Sequence, residues 1–132
     1  MLKKEEKPKI VLAQDKEFNR KMLEKADFDI LLSPERNTYQ TTVKNIDSGL
    51  NHVLCKIANK KGIRIGIDLN EIRNLEKKKK AIVLEKIIQN IKLCRKYKVL
   101  LALKGAKDNL NSTAFLLSLG ASTEQASKAL SF

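Results

Sequence analysis

Asp47, Ser48 and His52 stand within one short stretch, "DSGLNHVL" (Asp47–Leu54), and His52 is the only histidine in the chain. Serine, histidine and aspartate are the side chains of nucleophilic hydrolysis, but that chemistry needs hydroxyl, imidazole and carboxylate to converge in space. One helical turn with Asp and Ser at its start does not achieve that. A metal site would want a second His, or a carboxylate pair, at ligand spacing, and there is no second His. The plainer reading is a helix start. Asp47 or Ser48 accepts a hydrogen bond from a free N–H of the first turn, and Gly49 permits a tight approach. Leu50, Val53, Leu54, Ile57 and Ala58 form one apolar stripe, and His52 lies about 190° from its centre. An outward His there is a candidate for contact with a partner macromolecule rather than for catalysis.

No P-loop, no GxGxxG and no nucleophile elbow occurs, and only Asp68 is a carboxylate plainly at a strand end. Cys55 and Cys94 sit in helical patterns, without CxxC or zinc spacing and without a disulfide framework. The sequence therefore leads us to expect no catalytic residue, no metal site and no cofactor in this chain. The thiols point to a reducing, cytoplasmic home. The N-terminus has no apolar signal segment, and no apolar run reaches the roughly 18 residues that span a membrane.

Charge is the stronger clue. Lys and Arg number 27 against 15 Asp and Glu, a net +12 on 132 residues. So large an excess points to a polyanion, with nucleic acid the default. The alternative is a Lys-rich solvated surface of the kind heat-adapted proteins carry. Lys77, Lys78, Lys79 and Lys80 open a helix, where the dipole disfavours cations by a few tenths of a kcal/mol. Phosphate contact would explain them; a solvated face paired with Glu76 and Glu85 is the rival reading. Arg95, Lys96 and Lys98 cluster at the other end of that helix, where the dipole welcomes them. Arg95 falls near the apolar stripe and is expected to snorkel or to pair at the domain edge. Lys104 and Arg36 follow strands at the end where α/β folds place their sites. Aromatics are scarce, with two Tyr, four Phe and no Trp, which argues against a stacking platform for bases.

Four apolar runs of strand length must position these groups: Ile10–Ala13, Phe28–Leu32, Ile63–Ile67 and Val99–Leu103. Each is followed by a helical pattern, so the order β-α-β-α-β-α-β-α predicts a parallel sheet with right-handed crossovers. The first helix is expected over about Lys16–Lys25 with Asp15 as its cap. The second follows "DSG" and stops at Gly62, and the third covers about Lys77–Tyr97. A turn around Gly105–Asn111 precedes a helix through Ala114–Leu119, and a last short helix opens with a Ser122/Gln125 capping box. Residues 1–132 read as one domain, with residues 1–8 disordered and a polar loop over Asn37–Ile46.

"FDILLSPE", "DSGLNHVLCKIANKKGIRIGIDL", "IIQNIKLCRKYKVLLALKGA" and "LGASTEQASKAL" together resemble protein component 3 of archaeal ribonuclease P, the counterpart of the eukaryotic thirty-kilodalton subunit. The resemblance runs from about Phe28 to Leu130. It implies a TIM-barrel-like fold related to the PHP phosphoesterases, here partial, with about four parallel strands alternating with helices. It implies an accessory subunit of an endonuclease ribonucleoprotein of tRNA processing. The RNA, with magnesium, removes the 5′ leader of precursor tRNA. The implied partners are ribonuclease P RNA, another small protein subunit and, indirectly, precursor tRNA. The residues expected to contact RNA or protein are Arg36, Ser48, His52, Lys77, Lys78, Lys79, Lys80, Arg95, Lys96 and Lys104.

Two departures stand out. Family members are considerably longer, and the part not seen here is N-terminal. "LKGA" (Leu103–Ala106) stands where the family shows a serine-rich strand end. Four strands do not close a barrel, so a homodimer or a heteromer is expected to cover the sheet edge, with like charge opposing self-association at low salt. The rival readings are a phosphoesterase remnant and a generic basic RNA-binding scaffold.

Overall fold

The computed structural model describes residues 7–37 and 47–132. The expectations for residues 1–6 and for the loop 38–46 lie outside the described residues. Five parallel strands, β1 (Ile10–Leu12), β2 (Ile30–Leu32), β3 (Arg64–Asp68), β4 (Leu101–Lys104) and β5 (Leu130–Ser131), pair in chain order, β1-β2-β3-β4-β5. Each strand is thus the neighbour of the one before it. That order is barrel-like winding, in which right-handed crossovers lay every helix on one face. A doubly wound sheet would reverse direction partway. The expected fold class, a partial TIM-barrel-like α/β sheet, is the one observed. Its strand count is five rather than four, because β5 has two residues and is too short for any hydrophobic period to mark it.

Register sorts the strand residues into two layers. Val11, Leu31, Ile65 and Leu101 stand abreast, and all but Val11 are fully buried in the main core with Leu23, Leu54, Ile87 and Ile91 from the helices. Burying each such side chain contributes about 1.5–3 kcal/mol. The opposite face carries Leu12, Leu32, Gly66, Ala102 and Leu130 in one row. A Cβ on Gly66 would lie 2.8 Å from Ile30 Cγ2 and 3.0 Å from Leu32 Cδ1. Ile30 and Leu32 are buried across that face, so the small residues at its centre admit the large ones beside them. On the outer strand β1, by contrast, Ile10 and Leu12 are 42% and 46% exposed.

The helices are α1 (Lys16–Lys25), α2 (His52–Lys61), α3 (Leu69–Arg73), α4 (Lys77–Tyr97), α5 (Asn109–Ser118) and α6 (Thr123–Lys128). Asp15 caps α1, its Oδ1 accepting from Phe18 N at 2.7 Å. The Ser122/Gln125 capping box is present in both directions. Helix α3 follows β3 directly with Asp68 as its cap and was not expected. Helix α5 starts at Asn109 rather than near Ala114, because Asp108 caps it at Asn111 N. The turn expected over Gly105–Asn111 therefore ends sooner.

Candidate functional site

The stretch "DSGLNHVL" proves to be a buried joint rather than a simple cap. Neither Asp47 nor Ser48 caps α2. Asn51 does, its Oδ1 accepting from Leu54 N at 2.9 Å, so the helix starts at His52. Asp47 instead closes a tight turn, accepting from Gly49 N at 3.0 Å, and pairs with Lys16 of α1 at 3.1 Å. Gly49 has φ +83°, and a Cβ there would strike the Pro34 carbonyl group. Ser48 is only 3% exposed, and its carbonyl accepts from Asn90 Nδ2 of α4 at 3.0 Å. Lys86, one turn earlier on α4, is also buried and donates toward the Glu35 carbonyl at 3.5 Å. The end of β2, the DSG turn and the middle of α4 are therefore joined by backbone-directed polar contacts, which hold the start of α2 in place.

The charges within this joint shift one another. Burial alone would raise the Asp47 carboxyl, but the Gly49 N–H, Lys16 and Lys86 outweigh it and lower its pKa. Burial lowers the Lys86 ammonium, against the opposing pull of Asp47 and Glu35. A carboxylate lowered in the folded state adds stability that is complete above its unfolded pKa, about 3.9, and is lost as pH falls through the folded value. Asp47→Asn keeps an oxygen for Gly49 N–H and removes the charge. The variant is expected to be less stable than wild type in urea at pH 6, with the gap closing by about pH 2. A gap that persists unchanged in acid would show that charge is not what Asp47 contributes.

The residues expected to make contacts do not gather in one place. His52 is exposed at the first position of α2, beside an open depression of about 610 Å³ whose lining includes Lys16, Gln89, Leu93 and Tyr97. Ser48 lines the same depression but is buried in the joint, at odds with its expected surface role. Lys77, Lys78 and Lys79 are exposed and Lys80 partly so; Glu76 gives α4 no side-chain cap. They lie about 25–30 Å along the helix axis from Arg95 and Lys96. Arg95 is exposed and makes no ion pair among the described residues. Lys104 faces the α3 cap Asp68 at 4.0 Å. Arg36 belongs to the 3-10 turn Pro34–Asn37, and its side chain lies outside the described residues.

Residues that composition alone did not single out are Lys56, Asn59 and Tyr97. The ammonium groups of Lys56 and Lys96 lie 5.9 Å and 5.5 Å from the centroid of the Tyr97 ring. Asn59 Nδ2 donates to the Lys98 carbonyl at 2.9 Å, pinning α2 to the end of α4. Cys55 and Cys94 are buried and free. The Cys94 S–H donates to Cys55, and that bond together with burial raises the Cys94 thiol well above its ordinary range while lowering Cys55, which disfavours a thiolate at Cys94. Among the described residues no three His, Cys, Asp or Glu side chains come together to hold a metal ion.

No family model matches the chain. Ribonuclease P protein component 3 of Methanococcus vannielii is 32% identical over 83 residues, 63% of this chain and 33% of that protein. The same component of Methanococcus maripaludis strain C7 is 33% identical over 93 residues, 67% of this chain and 35% of that protein. The chain thus spans about a third of the length of these curated relatives. Among solved structures, a chain of archaeal ribonuclease P with mature tRNA, seen by cryo-electron microscopy, superposes with a TM-score of 0.71 at 26% identity. That match covers 90% of this chain and 52% of the other. By sequence over about two thirds of its length and by fold over nine tenths of it, this chain is a relative of ribonuclease P protein component 3.

Proposed function

We propose that this protein acts as a protein subunit of ribonuclease P, supporting a catalytic RNA that removes the 5′ leader of precursor tRNA. The observation that carries this reading is the fold match to a chain of archaeal ribonuclease P with mature tRNA. The excess of +12 charge, suited to a polyanionic partner, supports it. In this reading the chemistry belongs to the RNA and its magnesium ions, and the chain contributes binding surface. Partners are ribonuclease P RNA and at least one further small protein subunit, with precursor tRNA engaged through the RNA. The exposed Ile10 and Leu12 on β1 are the place where a second copy or another subunit would add to the sheet. The stage of action is cytoplasmic. No helix of the described residues is long and apolar enough to cross a membrane.

Two measurements test the reading. Pull-down of the full chain from native extract, with sequencing of the bound RNA, is expected to return ribonuclease P RNA above all other species. Recovery of bulk RNA in proportion to its abundance would favour a generic basic scaffold. Pure protein incubated with precursor tRNA and magnesium, without the RNA, is expected to cleave nothing. Correct 5′ cleavage by the chain alone would refute the division of labour proposed here.

A further inference from the structure

Acidic residues are missing from two long tracts. There is no Asp or Glu from Ser48 to Ile67 or from Lys86 to Lys107. The first tract holds α2 and the second holds the C-terminal half of α4, and these two helices pack side by side. On α1 and α6, by contrast, several cations pair with acids of their own helix. Arg20 pairs with Glu24 and Lys21 with Glu17 on α1, and Lys128 pairs with Glu124 on α6. Along the seam, Lys56, Lys60, Lys92 and Lys96 have no ion-pair partner among the described residues.

Two of these cations are moreover gathered together. Lys56 from α2 and Lys96 from α4 both reach the Tyr97 ring. The ring's negative face offsets part of their mutual repulsion, but no carboxylate completes the neutralisation. Along α2, His52, Lys56 and Lys60 succeed one another at four-residue intervals, about 6 Å apart on one face. A depression lined by His52, Gln89, Leu93 and Tyr97, and by the Lys16–Asp47 ion pair, opens beside His52 at one end of this row. It is wide and open to solvent, unlike the enclosed clefts that bury most of a small ligand. A row of donors beside an open trough suits an extended anionic chain.

We propose that the seam between α2 and α4, centred on Lys56, Lys96 and Tyr97 with His52 and Lys60 alongside, binds the sugar–phosphate backbone of RNA. An acidic protein surface is the other polyanion to weigh. Lysine is depleted at protein–protein interfaces, whose centres are apolar, whereas this face presents four exposed lysines, Lys56, Lys60, Lys92 and Lys96. Protein–nucleic acid interfaces are polar and positively charged, and phosphate contacts fix position without reading sequence. The identity of the RNA rests on the ribonuclease P reading; the location of the contact does not.

The test uses the full chain, an archaeal ribonuclease P RNA transcript and an unrelated RNA of equal length, titrated over a salt series. The double variant Lys56→Gln/Lys96→Gln removes two exposed charges, and its melting temperature is expected to match wild type. Its affinity for the ribonuclease P transcript is expected to fall roughly ten- to thirty-fold near 0.15 M salt, with the log–log salt slope shallower by about 1.5. Lys56→Arg/Lys96→Arg is expected to restore both. Unchanged affinity and slope in the Gln variant would overturn the inference, and so would a variant that keeps RNA affinity but loses a protein subunit of the reconstituted complex. Equal wild-type affinity for the two RNAs would instead count against the ribonuclease P reading. The Gln variant's loss on either RNA would still locate the contact.

Discussion

Gly49→Ala is expected to destabilise the protein by about 2–5 kcal/mol, the largest effect of any single methyl group added at the joint. Two costs combine. An L-residue at φ +83° costs roughly 1–2 kcal/mol in left-handed backbone. The added Cβ must also displace the Pro34 carbonyl, and a backbone group cannot rotate away as a side chain can, so the overpacking costs a further 1–3 kcal/mol or so. Gly62→Ala is the control, since Gly62 has φ +70° and nothing within 4 Å of where its Cβ would stand. Urea unfolding of both variants separates the two costs. Equal losses at Gly49 and Gly62 would mean that the contact with Pro34 counts for nothing.

The second large effect is expected at Asn90. Its Nδ2 donates to the Ser48 carbonyl at 3.0 Å in a buried setting, so Asn90→Ala strands a buried acceptor and leaves a small void. The expected loss is about 1–3 kcal/mol. Asn59→Ala breaks a bond of similar length, to the Lys98 carbonyl, at an exposed site, where water replaces the donor. Its cost is expected to stay near 0.5 kcal/mol. Similar losses in the two variants would show that burial at the joint is not what gives Asn90 its weight. Measured at a temperature where Asn90→Ala remains folded, RNA affinity is expected to stay near wild type, because the side chain faces inward.

Much of this architecture was legible in the residues. Helix α4 was bounded correctly, Lys77 to Tyr97, because a long 3.6-residue period leaves little choice of register. Helix α1 was fixed by Asp15 and the apolar spacing of Phe18, Met22 and Leu23. The start of α2 was harder to read because "DSGLN" offers three residues of capping type, and local sequence does not rank them. Packing does: Gly49 against Pro34 and Ser48 against Asn90 consume the turn before the helix begins, leaving Asn51 to cap it. The site was less legible than the fold. His52 was correctly turned outward by the helical wheel. Lys56 and Lys96, however, meet over Tyr97 only because α2 packs on α4, a contact across 40 residues of sequence that no local pattern encodes. The gaps between acidic residues were visible in the sequence and are the signal that could have located this face.

The strand order has a consequence for how the chain can be built. Ile10 pairs with Ile30, Ile30 with Arg64, Ile65 with Leu101 and Ala102 with Leu130. Each new strand therefore docks beside one made just before it, and no slot waits for a distant segment. Loop-closure entropy grows only slowly with loop length, so each closure in the series costs about the same. As synthesis proceeds from the N-terminus, every finished βα unit offers a ready edge to the next. The sheet can grow as a zipper closes, tooth by tooth in the order of translation, without the rearrangement that a strand inserted between two others would demand.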